Sequence, residues 1–299
     1  MSSPTPPVIA EHTLGFGRSI ALCAVFYGVA VTVFVVAELL KLFLGLPVGM
    51  FASLLIQQLI AWPLTVGIAM VWTRTSLAEA CRLRPLCTRL MPALLLASFG
   101  ATPLLIEAAA LIPVPEILRG AFEYMNRQTA DSNWLMLFLP VVVVAPVAEE
   151  LFFRGLVLRG YVRCYGPAKA VWGSAVLFAV FHLNPWQAVL ALPLGLAFAW
   201  LVLRTGSLVP AILGHAMVNF SRNFLLAPLG VALGYPAGQL EAMEHLPLSM
   251  LGVGAAAGLA GGWLLWRQVS RLPQPEPTGW NRNSRPQPFP APESATPPT

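Results

Sequence analysis

Pro146-Val147-Ala148-Glu149-Glu150-Leu151-Phe152-Phe153-Arg154 sets two adjacent carboxylates and a guanidinium inside an oily run. Residues 134–158 hold no other ionisable group. A charge placed at the centre of a bilayer costs roughly 2.5–3.5 kcal/mol on insertion scales. A chain that keeps three such groups there has a use for them. Working outward, the whole sequence is apolar: 57% hydrophobic and 10% charged over 299 residues, with a mean hydropathy of +0.71. Soluble domains carry about a quarter charged residues. Such a composition excludes an ordinary soluble fold and reads as a polytopic membrane protein.

Apolar stretches of spanning length fall at about 19–40, 48–72, 90–113, 134–158, 170–184, 186–203, 207–224 and 248–266. They are too long and continuous for the alternating ten-residue strands of a barrel. The expected fold is therefore an all-α transmembrane bundle of about eight spans. With the N-terminus inside, thirteen Lys and Arg fall on the cytoplasmic side and four on the other. That asymmetry predicts both termini in the cytoplasm and an even number of spans. The net charge of +5 follows from these loops and gives no reason to invoke nucleic acid.

The chain divides into a polar N-terminal segment (1–17), three spans with an interfacial segment (18–134), a core (135–225), a last loop and span (226–271) and a Pro-rich tail (272–299). Residues 1–17 lack Lys and Arg, and the run that follows Arg18 exceeds a signal-peptide core, so a retained first span is expected. Residues 114–133 mix charges with Ile117, Leu118, Phe122 and Tyr124, the pattern of an amphipathic interfacial helix or a polar loop, and the helix is preferred. The tail cannot build a core and is expected to be disordered. Cys23, Cys81, Cys87 and Cys164 show no zinc-knuckle spacing and read as free thiols.

The polar residues of the core fall into pairs at helical spacing. Glu150 and Arg154, at i,i+4, share a face and pair, while Glu149 is rotated by about 100° and faces elsewhere. Glu149 then points into a cavity as a candidate general base. A snorkelling interfacial cluster is the alternative. Phe178 and His182 also stand at i,i+4, as do His215 and Asn219 on a later apolar segment. Singly, each reads as a structural hydrogen-bonder or interhelical link; together they suggest chemistry at membrane depth.

Glu149-Glu150-xxx-Arg154, Phe178-xxx-His182 and His215-xxx-Asn219 are similar to the EExxxR, FxxxH and HxxxN motifs of the CPBP (CAAX protease and bacteriocin-processing, or Abi) family of intramembrane proteases. All three match in order, over roughly 135–225. The resemblance implies an endopeptidase in which Glu149 and His182 activate a water, and His215 and Asn219 stabilise the oxyanion. Glu150, Arg154 and Phe178 would support them. Glu149, His182 and His215 also make a His₂Glu set, so a zinc metalloprotease using the same residues is an alternative. The absence of H-E-x-x-H, and the loss of the base if Glu149 binds metal, favour a mechanism with no metal or other cofactor. The expected partners are the bilayer and a membrane-anchored protein or peptide, more than a CAAX motif specifically. Usage rich in Ala, Pro and Arg suggests a bacterial inner membrane. The other readings are a non-catalytic bacteriocin-immunity protein and a transporter, although no inverted repeat is visible. The site poses a problem of depth: the charge-based topology puts His182 near the outer end of its span, while Glu149 sits mid-helix. Either the 170–184 span lies displaced toward the cytoplasm, or its boundaries differ by a turn.

Overall fold

The computed structural model describes residues 13–45, 48–83, 88–226, 229, 232 and 245–272. All regular structure among them is helical. The helices are α1 (Phe16–Leu44), α2 (Met50–Thr73), α3 (Leu77–Cys81), α4 (Leu90–Ala110), α5 (Glu116–Ala130), α6 (Trp134–Tyr165), α7 (Pro167–Phe181), α8 (Pro185–Thr205), α9 (Val209–Phe220, prolonged by a π-helical turn over Ser221–Leu226) and α10 (Leu248–Ser270). The protein is an all-α membrane bundle. All eight apolar stretches are helical. Among the described residues six helices, α1, α2, α4, α6, α8 and α10, are long and apolar enough to cross a bilayer. The count of about eight full spans is thus corrected by two short helices, α7 with 15 residues and α9 with 12.

The interfacial segment is helical, as α5. Its charged residues Glu116, Arg119, Glu123 and Arg127 share one face, and Ile117, Leu118, Tyr124 and Met125 on the other are exposed. Residues 1–12, 273–299, Cys87 and most of the last loop lie outside the described residues. Cys23, Cys81 and Cys164 are free thiols. Burial raises the pKa of Cys81, against the opposing charge of Arg159, which keeps it a poor nucleophile.

Sequence chemistry sets the turns between helices. Asn184 caps α8, its side chain accepting from the amides of Trp186 and Gln187, with Pro185 in the first helical position. Gly166 and Gly206, both at positive φ, end α6 and α8. The turn at Gly166 resolves the depth problem. Glu150 lies sixteen residues before it and His182 sixteen after it, on the two arms of one hairpin, and the Phe178 ring against Arg154 shows the arms side by side at this level. The short α7 therefore climbs only to the level of Glu150. Around Gly206, Phe198 stands eight residues before and His215 nine after, so the next hairpin brings these two rings level. An aromatic cluster of Phe26, Trp62, Phe152, Phe153, Phe178 and Phe181 fills the space between α1, α2, α6 and α7. It forms the apolar wall behind the acidic residues.

Candidate active site

Helix α6 is not regular where the acids sit. Two π-helical segments, Leu139–Val144 and Leu151–Val157, flank the α-helical turn Ala145–Glu150. Pro140 and Pro146 supply a cause for the first, since each lacks the N–H that would bond the carbonyl four residues earlier. Wide turns of this kind are frequent at functional sites. They also free backbone carbonyls for other donors.

Glu150 and Arg154 are both fully buried, and they form the pair that their spacing predicts, Nη1 to Oε1 at 2.9 Å. The same Oε1 accepts from Nδ1 of His215 at 3.0 Å. One carboxylate oxygen is thus shared by a guanidinium on α6 and an imidazole on α9. The Arg154 guanidinium lies over the Phe178 ring at 4.3 Å, with Phe198 at 5.8 Å. His215 stacks on Phe198, with 5.8 Å between centroids and a 22° tilt.

Glu149 turns to a different face of α6, as adjacent helix positions must. Its side chain is 12% exposed, and its Oε2 stands 4.0 Å from Nε2 of His215. Among the described residues this buried oxygen has no hydrogen-bond partner. Glu150 Oε2 and Arg154 Nε and Nη2 are in the same condition. Four such atoms in one neighbourhood mark a place that takes water, because buried polar groups are rarely left unpaired.

His182 follows the last residue of α7. Its Nδ1 meets the Phe178 carbonyl at 2.9 Å. A carbonyl only accepts, so Nδ1 carries the hydrogen and Nε2 presents a lone pair. Phe178 is the common neighbour of the motifs, with its ring 5.0 Å from His182 and 5.9 Å from His215. Asn219, one turn beyond His215, gives its amide to the carbonyl of Val141 at 2.8 Å, inside the first π segment. It links α9 to α6, and its amide retains a second N–H.

Glu149, Glu150, Arg154, Phe178 and His215 therefore gather in one cluster. His182 adjoins it through Phe178, and Asn219 sits at its edge. Two residues that sequence reasoning missed also belong to it. Phe198 supports His215, and Tyr27 on α1 donates its hydroxyl to the Phe181 carbonyl. Among the described residues no three His, Cys, Asp or Glu converge as metal ligands.

Residues 131–221 match the family model described as Type II CAAX prenyl endopeptidase Rce1-like. The chain carries an Rce1-like domain. The match is consistent with the CPBP family and spans every residue of the three motifs. No curated protein and no solved structure matches the chain. The Rce1-like segment includes α6 to α9 up to Ser221, while α1, α2, α4 and α10, which are long enough to hold it in a membrane, lie outside it.

Proposed function

We propose that this protein is an intramembrane endopeptidase that hydrolyses a peptide bond of a membrane-associated protein or peptide. Glu149 is the general base, and Nε2 of His182 is assigned to assist it in activating the water. The water proton passes to the carboxylate as the water oxygen attacks the scissile carbonyl. His215 and Asn219 donate to the oxyanion that forms. Because Nδ1 of His215 already donates to Glu150, Nε2 can donate only when the ring is an imidazolium. The buried Glu150 carboxylate accepts from Nδ1 and fixes the ring, and Arg154 holds Glu150 in place. Collapse of the tetrahedral intermediate returns the proton to the leaving amine.

The observation that carries this reading is the unpartnered, buried Glu149 oxygen facing His215 Nε2 within the Rce1-like segment. No step is routed through a metal, since the donors do not converge as ligands. The family's description supports a CAAX-type peptidase in general terms, and a membrane-anchored substrate is the wider class we assign. The distribution of Lys and Arg supports both termini on the cytoplasmic side, and usage rich in Ala, Pro and Arg supports a bacterial plasma membrane. The test is a comparison of the membrane proteomes of wild-type and Glu149→Gln cells for new N-termini. Precursors that accumulate uncut in the variant, at equal protein level, support the proposal. Identical N-termini in the two strains, with a substrate cleaved equally by both proteins, overturn it.

A further inference from the structure

Phe181 ends α7 and immediately precedes His182. In a continuing helix its carbonyl would accept from the N–H of residue 185. That residue is Pro185, which has none. Two of the three intervening amides are committed elsewhere: His182 N–H goes to Ala179 and Leu183 N–H to Val180. Leu183 then turns the chain away at φ 49, in the left-handed region, which is unusual for a leucine. The turn that presents His182 is thus irregular, and its last carbonyl needs a donor from outside the helix.

Tyr27 provides one. Its hydroxyl donates to the Phe181 carbonyl, and its ring lies 5.0 Å from that of Phe181. Tyr27 belongs to α1, more than one hundred residues before the Rce1-like segment begins.

We propose that Tyr27 is a positioning residue of the active site: its O–H replaces the donor that Pro185 lacks and so fixes the turn that presents His182 against Phe178. The inference rests on the assignment of His182 to water activation. It makes α1 an obligatory part of a site whose motifs all lie elsewhere.

The experiment uses the full chain in detergent and the Tyr27→Phe variant, which keeps the ring and loses only the hydroxyl. A quenched fluorogenic farnesylated peptide reports kcat and KM. Diethyl pyrocarbonate labelling read by mass spectrometry reports the exposure of each histidine. We expect kcat to fall about 10-fold at unchanged KM, since small displacements of a catalytic group have effects of that size or more. His182 should be labelled several-fold faster, with His215 unaffected and the melting temperature unchanged. Wild-type kcat with wild-type labelling of His182 overturns the inference, as does a loss of activity that merely follows a loss of folded protein. Glu149→Gln, assayed alongside, separates the two claims. If it stays active, or if the wild type leaves the peptide uncut, the labelling rate of His182 alone decides the role of Tyr27.

Discussion

Two helix contacts in this molecule are built on opposite principles. Between α4 and α10 the backbones touch. A methyl group added at Gly100 would lie 2.1 Å from the backbone nitrogen of Gly258, and one added at Gly261 would lie 2.3 Å from that of Ala97. That seam is dry and held by close packing, the usual device where lipid provides no hydrophobic drive between helices. Around α6 the helices instead converge on a buried ion pair, the imidazole of His215 on the same carboxylate, the rings of Phe153, Phe178 and Phe198, and polar atoms left to water. The first contact tolerates no added atom. The second is a polar interior enclosed by helices, and in it a solvent molecule can be held and used.

The contrast is broken most severely by removing its chemistry without touching its packing. Glu149→Gln should lower turnover by at least about 10³-fold, near the upper range for a lost general base. Its melting temperature in detergent should equal that of the wild type. Arg154→Ala comes next. It strands the fully buried Glu150 carboxylate, and breaking such a pair costs about 3–5 kcal/mol. Thermal unfolding should show a marked loss of stability together with loss of activity. At the other contact, Gly100→Leu should force α4 from α10 at a cost of about 1–3 kcal/mol or more. Lower yield and melting temperature would register this, with kcat per folded molecule preserved. The mildest change is Gly252→Ala on α10, where an added methyl meets nothing within 4 Å. It should alter stability by less than about 0.5 kcal/mol. A large effect there would mean that the exposed face of α10 is not free.

The sequence disclosed the residues of the site better than their arrangement. Glu150 and Arg154 were paired by spacing alone, because an i,i+4 relation on one helix needs no tertiary information. The bond from Glu150 to His215 was not legible, since it depends on two hairpins bringing α6 and α9 to a common depth. The position of Gly166 held that answer. Reading boundaries from hydropathy started α7 three residues late and hid the equal arms about this turn. The π-helical segments leave no pattern of their own; Pro140 and Pro146 were the available signs. Tyr27 had half a signal. Pro185 announces that the carbonyl four residues before it lacks a partner, but nothing local names a donor more than 150 residues away. The span count exceeded the number of full-length helices because hydropathy measures oiliness, and α7 and α9 are oily without being long.

The brevity of α7 has a further consequence. Fifteen residues rise only about 22 Å, against a hydrocarbon layer of about 30 Å. Several of its outward residues, among them Trp172, Val176 and Val180, are exposed and apolar. Lipid that thins to meet this helix would draw the polar surface of the bilayer toward the end of α7, where His182 stands, and shorten the path by which solvent reaches the carboxylates.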